Sequence, residues 1–579
     1  MRFYKVNTRY LEHIHKYDNN IISTKEMIGI PVRLRGKIYF LPVCTLSKND
    51  FDNDGNLRKT NPAILRLIDL KSNKAIGKCL FSNMLPVPYN ELEIVIFDEL
   101  TGNRILYEKQ LNYLQKNYSR INKAANRIYS QKEKGYKHTY LNKTVNFKKI
   151  EKYALEWELE KYGKHYNRFP DSNFFLTNPQ ADGVGEYYLM NKHHKVARIL
   201  YNHQSNDIQV VELLEKEYAP LECIVKEGIL DKDVSSWFRN RGIPSWRDGL
   251  DDFLDNLGIS DKDILLSKAF GLSLTDQYWL NPLSMPMEWD DINFFDNDFY
   301  TQNYKEAIFQ NKIQDAYKVN LFTPNNTSDG MLKKVWICEN GERYLLKGSY
   351  NEKGLEPFNE VLASMISDVL GLEYVYYCVE TCYGSMVSKC ACFIDGDTEL
   401  ISAYSVLKNA GIGMVSELDS VAVYSQYKQI LLKQGIVSPG RSLVKMFLLD
   451  YIILNEDRHL GNFGIIRDVE TLEWRCVAPN FDSGQSMNSQ KKAYEMDFDH
   501  AKGCFFHDKN IDFENILSFI KEDIDFEITF GKLYDVVKEW KKLLKDYQAV
   551  SVLNEDIIDT LVKGLQIRIE MLENKLNEK

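Results

Sequence analysis

A stretch that reads as a buried apolar helix, Met446 to Leu454, runs straight into a polar loop, Asn455-Glu456-Asp457-Arg458-His459-Leu460-Gly461-Asn462. Ile465-Ile466 and Trp474 to Ala478 then read as the two strands of a hairpin, because aspartate and threonine break the run between them. A second acidic turn, Phe481-Asp482-Ser483-Gly484, stands where that hairpin ends. Whatever the rest of the fold, this order fixes a carboxylate, a carboxamide five residues on, and a second carboxylate at the ends of short, regular elements.

Those three groups are the set a phosphotransferase uses. Asp457 is placed to face an acceptor hydroxyl as the base, while Asn462 and Asp482 suit magnesium, and with it ATP. An Asp-Arg-His turn alone is commonly a salt-bridged loop, so the inference rests on the three positions together. Upstream segments follow in a matching order. Thr327-Ser328-Asp329-Gly330-Met331-Leu332-Lys333-Lys334 lies between a turn-rich Pro324-Asn325-Asn326 and a strand at Val335-Trp336-Ile337, where a phosphate-covering loop containing Ser328 and Gly330 would sit. The strand Arg343 to Lys347 ends in a lysine that would reach the α and β phosphates, and Glu360, on a helix beginning near Glu356, would pair with it. The plain alternative for Lys347 is a solvated strand end.

From about Phe174 to its end the chain resembles the HipA-like serine/threonine kinases of bacteria. The likeness is carried by Asn455-x-Asp457-Arg458-His459-x-x-Asn462, Phe481-Asp482-Ser483-Gly484, Tyr344-Leu345-Leu346-Lys347 and Gly271-Leu272-Ser273-Leu274-Thr275-Asp276-Gln277-Tyr278-Trp279. The resemblance implies Asp457 as catalytic base, Asn462 and Asp482 as magnesium ligands, and Lys347 as the nucleotide lysine. It also implies autophosphorylation in the phosphate loop, with Ser328 the matching residue and Thr327 beside it.

At 579 residues the chain exceeds one ordinary core, and 44% hydrophobic content is enough to bury several. No run approaches the roughly 18 apolar residues of a membrane span, and Met1-Arg2-Phe3-Tyr4-Lys5 has no signal-peptide core, so a cytosolic setting is expected. Ten cysteines are too few for a disulfide framework. Cys378, Cys382, Cys390 and Cys392 cluster without paired knuckles, which favours buried thiols over a zinc site. The net charge of −9 conceals a division: residues 1–166 hold 30 Lys and Arg against 17 Asp and Glu, a net of +13 that leaves −22 for the remainder. A basic domain favours a polyanion through counterion release, and nucleic acid is the commonest polyanion in cytosol. The alternative is that it docks on its own acidic neighbour.

Residues 1–166 read as a compact α+β unit, with strands at Ile28 to Leu34 and Lys37 to Val43, a charged helix from Ile105 to Lys132, and another from Lys149 to Tyr162. Tyr4, Lys5, Arg9, Tyr10, Tyr113, Lys116, Tyr118 and Arg120 interleave rings and cations as a surface for unpaired bases would. Met1-x-Phe3-Tyr4-x-Val6-x-x-x-Tyr10, Lys25-x-x-Ile28-Gly29-Ile30, Tyr39-x-x-Pro42-Val43-x-Thr45 and Leu106-Tyr107-x-Lys109-Gln110-Leu111 resemble the ToxN/AbiQ family of endoribonuclease toxins from type III toxin–antitoxin and phage-exclusion systems. The resemblance implies a barrel-like core and metal-independent RNA cleavage, with Lys25 and Thr45 as catalytic core and Tyr10 close by. Attack by a 2′-hydroxyl needs a proton acceptor and positive charge at the phosphorane; Lys25 supplies charge and Thr45 a donor to a non-bridging oxygen. Cys44 stands where that family commonly has a second hydroxyl.

Between these parts, Gly185 to Met190 and Lys195 to Leu200 read as two strands, Val234 to Leu257 as helical turns carrying Trp237 and Trp246, and Asp290 to Asp298 as a capped turn, since it lacks the central glycine and closing glutamate of a calcium loop. Ile557, Leu561, Leu565, Ile569 and Leu572 mark a packed C-terminal helix. The expected architecture is an α+β multidomain chain: a barrel-like RNA-directed domain over 1–166, a connecting region and kinase subdomain over 167–320, an ATP-binding lobe over 321–440, and a catalytic loop with a largely helical lobe over 441–579. The expected function is a kinase that phosphorylates a protein, itself included, fused to a ribonuclease that it regulates. ATP and Mg2+ are the expected cofactors; RNA as substrate and antitoxin, a small antitoxin protein, and no membrane complete the expected partners. Two alternatives are a kinase whose first domain only binds RNA, and a non-catalytic RNA scaffold that retains ATP.

Overall fold

The structure, a computed structural model, describes residues 3–22, 27–34, 37–69, 72–88, 91–95, 104–162, 183–225, 228–257, 259, 262–283, 286–299, 301–310, 321–350, 354–412 and 419–577. It divides into two units, Met1–Tyr187 with Tyr201–Gln204 and Asn281–Asp298, and Tyr188–Leu200 with Ser205–Leu280 and Phe299–Lys579.

In the first unit, β1 (Tyr4–Val6), β2 (Ile28–Leu34), β3 (Lys37–Cys44), β4 (Ile64–Ile68), β5 (Ala75–Leu80), β6 (Leu85–Pro86) and β7 (Leu92–Ile94) form one antiparallel sheet. Its order is β4-β5-β3-β2-β1-β7, with β6 on β3 off that path. The barrel-like expectation is corrected here: β4 and β7 end the path without pairing to each other, so no closed barrel forms among the described residues. The cause lies in β3, which pairs with β6 at Tyr39 and Phe40 and with β5 at Val43 and Cys44, turning the sheet partway along one strand. Helices then cover it: Arg104–Lys116 packs on β4 and β5, Tyr118–Glu133 on β2, and Phe147–Tyr162 on β6.

The single charged helix expected from Ile105 to Lys132 is two helices, broken at Asn117 (φ −115°, ψ 13°), a residue whose side chain competes for backbone bonds. The proposed ring-and-cation surface is also corrected: Tyr4, Tyr10 and Tyr113 are buried core residues. Asn293 caps its turn by accepting from the Phe295 and Asp296 amides, as expected of the Asp290 to Asp298 segment.

Further along, β8 (Val184–Asn191), β9 (His194–Asn202), β10 (Ile208–Leu213) and β13 (Tyr278–Pro282) make a sheet of order β10-β9-β8-β13, and β11 (Ile224–Val225) and β12 (Gly228–Ile229) a small hairpin. Trp246 lies in a turn between helices Asp231–Asn240 and Leu250–Leu257, not within one. In the second unit, β14 (Lys334–Glu339), β15 (Glu342–Lys347), β16 (Tyr377–Cys382) and β17 (Ser385–Ala391) form an antiparallel sheet of order β14-β15-β17-β16. The helix Glu356–Leu370 lies across β16 and β17 and ends at Gly371, whose φ of 59° suits a residue without a Cβ.

The sheet β18 (Thr398–Ser402), β19 (Gly464–Asp468) and β20 (Trp474–Val477) contains the expected hairpin, and β21 (Lys502–Phe505) pairs with β22 (Asp508–Asp512). Helix Pro439–Ile453 is the centre of the core. It packs on Glu356–Leu370, Phe513–Ile520 and Glu555–Asn577, and Phe447, Leu448, Leu449, Ile452 and Ile453 are fully buried. Truncating one of those leucines to alanine costs about 2–5 kcal/mol. All ten cysteines are free thiols. No helix among the described residues is long and apolar enough to cross a membrane.

Candidate functional site

The central helix stops at Leu454, whose backbone turns left-handed (φ 52°) and redirects the chain into the polar loop. The Asn455 amide donates to the Asp450 carbonyl at 3.0 Å. Asp450 is the one carboxylate on that apolar helix, and its two oxygens accept from Arg458 Nε (2.9 Å), Arg458 Nη2 (3.0 Å) and Asn455 Nδ2 (2.8 Å). Arg458 is fully buried, and it also donates to the Asn462 and Phe481 carbonyls (2.8 Å each), Asn480 Oδ1 (2.8 Å) and Ser483 Oγ (3.0 Å). One guanidinium therefore binds the loop of Asp457 and Asn462 to the loop of Asp482. Burial works against its charge, but Asp450 outweighs that and raises its pKa. Spacing alone gives Asp450 and Arg458 no role. The one signal for them is a lone acid in an apolar helix, eight residues before an arginine.

Asp457 is half-buried, and burial raises its carboxyl pKa, with Asp482 adding to the shift and His459 opposing it. Asn462 Nδ2 donates to the Asp457 carbonyl at 2.9 Å, which leaves its oxygen as the end able to act as a ligand.

Lys347 closes β15. Its ammonium stands 2.5 Å from both Glu360 Oε1 and Asp482 Oδ1, and Glu360 Oε2 accepts from the Ser483 amide at 2.9 Å. Asp482 adopts a left-handed backbone (φ 57°), a strained position for a residue with a Cβ. Burial alone would raise the Asp482 pKa; Lys347 and Lys334 instead hold it well below the usual carboxylate range. Burial likewise disfavours charge on Lys347, but Asp482 and Glu360 raise its pKa. Lys334, its register partner on β14, differs: burial lowers its pKa to about 8, only partly opposed by Asp482, and no carboxylate lies within ion-pair distance among the described residues. Two lysines thus lie near the Asp482 carboxylate, on a loop that Arg458 joins to the one carrying the Asn462 carboxamide. This donor set fits a phosphate chain carrying a hard, oxygen-seeking cation.

The segment before β14 is held inward. Arg247 donates from Nη1 to Ser328 Oγ (2.8 Å), from Nη2 to the Ser328 carbonyl (2.5 Å) and from Nε to the Gly330 carbonyl (3.0 Å). Ser328 Oγ donates to the Asn325 carbonyl (3.0 Å) and Thr327 Oγ1 to the Leu272 carbonyl (2.8 Å), so both hydroxyls are buried and engaged. Gly330 has φ 98°, and a Cβ there would lie 2.5 Å from Lys334 Nζ. For Ser328 to accept a phosphate, this loop has to leave Arg247.

In the first unit Lys25 lies outside the described residues. Thr45 is exposed, immediately after β3. Cys44 pairs in register with Lys78, whose ammonium bonds both Asp50 oxygens at 2.7 and 2.8 Å; no local interval in the sequence marks this pair beside Thr45. Burial pushes the Cys44 thiol pKa up, against Lys78. Tyr10 is fully buried, its hydroxyl donates to the Pro86 carbonyl (2.5 Å), and burial, then Glu91 and Glu158, push its pKa well up. That places Tyr10 in the core. Below the sheet, Tyr39 and Tyr129 donate to Glu151 Oε1 (2.6 and 2.9 Å), and Trp157 and Lys161 reach Glu91 Oε1 (2.7 Å each).

Comparison with known proteins matches residues 2–155 to the family described as toxin ToxN of type III toxin–antitoxin systems. The endoribonuclease AbiQ of Lactococcus lactis subsp. lactis is 24% identical over 160 residues, covering 26% of this chain and 86% of AbiQ. Among solved structures, HipA of Shewanella oneidensis, from a complex with HipB and operator DNA, is 14% identical with a TM-score of 0.43, covering 68% of this chain and 99% of HipA. The Helicobacter pylori proinflammatory kinase CtkA is 19% identical with a TM-score of 0.32, covering 42% of this chain and 94% of CtkA. At those scores the two structures add nothing to the geometry above.

Proposed function

We propose that this chain, whose residues 2–155 form a ToxN/AbiQ-type toxin domain, joins an RNA-cutting first unit to an ATP-dependent, HipA-like protein serine/threonine kinase in its second. The observation that carries the kinase reading is Lys347 bridging Glu360 and Asp482, with Arg458 tying the Asp482 loop to the loop of Asp457 and Asn462. Asn462 and Asp482 would hold magnesium, which supplies charge neutralisation between phosphates. Lys347 and Lys334 orient the phosphate chain, and Asp457, its pKa raised by burial, takes the proton from an acceptor hydroxyl on a protein. Ser328 is the candidate for autophosphorylation, and phosphopeptide mapping of protein incubated with ATP reads it directly.

For the first unit, the family match and the basic charge support cleavage of RNA by its own 2′-hydroxyl, with Lys25 supplying positive charge and Thr45 a hydrogen bond to the phosphorane. An RNA antitoxin fits the same charge. A second reading, in which this unit binds RNA without cutting it, is favoured by Cys44, a thiol that burial keeps protonated where a second hydroxyl is usual. The division of charge supports regulation, in which nucleotide in the acidic part gates RNA access to the basic part.

One paired assay tests these readings: labelled phosphate transfer from ATP by wild type and Asp457→Ala, beside RNA cleavage by wild type and Lys25→Ala, with and without ATP. Transfer that survives Asp457→Ala rejects the kinase, and cleavage that survives Lys25→Ala rejects the nuclease site. Equal cleavage with and without ATP rejects the gating.

A further inference from the structure

Tyr4, Tyr10 and Tyr113, which sequence spacing offered for base stacking, are buried, but the first unit carries three other rings at its surface. Helix Tyr118–Glu133 ends at Lys134, Gly135 turns the chain with φ 69°, and a short helix, Thr139–Asn142, follows. On this connection Tyr136, His138 and Tyr140 form one ladder. Tyr136 and His138 have ring centroids 6.0 Å apart at 17°, and His138 and Tyr140 5.3 Å apart at 8°. Tyr136 is 53% exposed and His138 is exposed as well, so the outer end of the stack lies open to solvent.

The ladder is held rigidly from below. Tyr140 donates through its hydroxyl to Gln131 Oε1 (2.9 Å), Lys132 Nζ donates to the Leu141 carbonyl (2.8 Å), and the Tyr136 amide to the Gln131 carbonyl (3.1 Å). Around it the charge is one-sided. Residues 131–149 hold six lysines and a single acid, Glu133, which pairs with Lys148 at 3.0 Å. Lys134, Lys137, Lys143 and Lys149 are exposed and have no carboxylate partner among the described residues.

We propose that Tyr136, His138 and Tyr140 are a stacking platform for the unpaired bases of a single-stranded RNA, whose phosphates are taken by Lys134, Lys137 and Lys143. The inference rests on the RNA-directed reading of the first unit and adds a binding surface made of residues other than Lys25 and Thr45. Parallel rings with an open outer face accept any base, since every base has a π face, while exposed ammonium groups follow the backbone. An acidic protein would use the lysines but leave the ordered rings without a role. Duplex RNA, whose bases are stacked on one another, would not reach them either.

The test uses the full chain and a short labelled oligoribonucleotide with 2′-O-methyl groups, which cannot be cut through its own hydroxyl, read by fluorescence anisotropy. Tyr136→Ala combined with His138→Ala is expected to weaken binding about tenfold, while Tyr136→Phe, which keeps the ring, stays close to wild type. Lys134→Gln with Lys137→Gln is expected to lower the salt dependence, the slope of log affinity against log salt falling by about 0.7 for each phosphate that is no longer neutralised. Because these side chains are exposed, thermal melting of the variants should match wild type. Unchanged affinity in the double ring variant overturns the proposal, as does equal affinity for the corresponding duplex or equal displacement by poly-glutamate. Cleavage of unmodified RNA is measured in parallel. Ring-dependent binding without cleavage leaves this platform standing and removes the nuclease, whereas cleavage with ring-independent binding does the reverse.

Discussion

The two units treat their charged groups in opposite ways. In the second, Lys347, Glu360, Arg458, Asp450 and Asn462 are buried beside a half-buried Asp482, and the charged groups are locked to one another. In the first, the buried polar groups, Tyr39 and Tyr129 on Glu151 and Trp157 on Glu91, support the sheet from beneath, while Thr45 and the lysines of residues 134–149 stand in solvent. A site for a small, highly charged cofactor gains from fixed charges in a low dielectric. A surface for a long polyanion gains from many exposed cations, each replaceable. Single substitutions should therefore be severe in the second unit and graded in the first.

The largest expected effect is on Asp457→Ala, which should lower phosphate transfer by about 10²–10⁴-fold with RNA cleavage unchanged, measured on the same preparation. A loss in both activities would break the separation of the two sites. Next, Arg458→Met leaves Asp450 charged and unpaired in the core and should cost about 3–5 kcal/mol, seen as a lowered thermal midpoint in the second unit. Pairing it with Asp450→Leu should recover much of that loss, because no buried charge is then left alone. If Arg458→Met melts like wild type, the guanidinium is not what joins the two loops.

In the first unit, Glu151→Ala removes the acceptor of the fully buried Tyr39 hydroxyl and should cost about 2 kcal/mol by denaturant titration, less than the arginine substitution. A cost equal to that of Arg458→Met would erase the contrast. The smallest effect concerns pH. Lys334 titrates near 8 because burial disfavours its charge, so it is an ammonium below that pH and neutral above it. Affinity for ATP should fall several-fold as pH rises through about 8, and Lys334→Met should flatten that profile. Calorimetric titration across that range decides it, and a profile unaltered by the substitution would show that Lys334 does not meet phosphate.

Much of the second unit's site was legible because its parts sit at the ends of regular elements with short intervals between them. Asp457 and Asn462 follow one apolar helix, Asp482 follows one hairpin, and Lys347 ends one strand, so local periodicity located all four. Glu360 was legible only through its order after Lys347. Arg247 was not, since it meets Ser328 across 81 residues and nothing local marks the pairing. In the first unit, alternation gave the β2–β3 hairpin, while the family resemblance implied closure of the sheet, which depends on how β3 divides its pairing between β5 and β6. Interleaved tyrosines and lysines failed as a surface signal for a similar reason. Spacing shows that rings recur, and packing decides which of them face water.

The sequence by itself determined the division of charge, the apolar helix that ends before Asp457, and the order in which lysine, glutamate and two aspartates appear. These depend on composition and short-range periodicity. Only the tertiary structure decided which side chains are buried together: Arg458 on Asp450 between two loops, Lys334 buried with no carboxylate at ion-pair distance among the described residues, Ser328 under Arg247, and Tyr136, His138 and Tyr140 stacked at the surface. Burial sets the cost of a charge and the exposure of a ring, and burial is a property of the packed chain that no local interval contains.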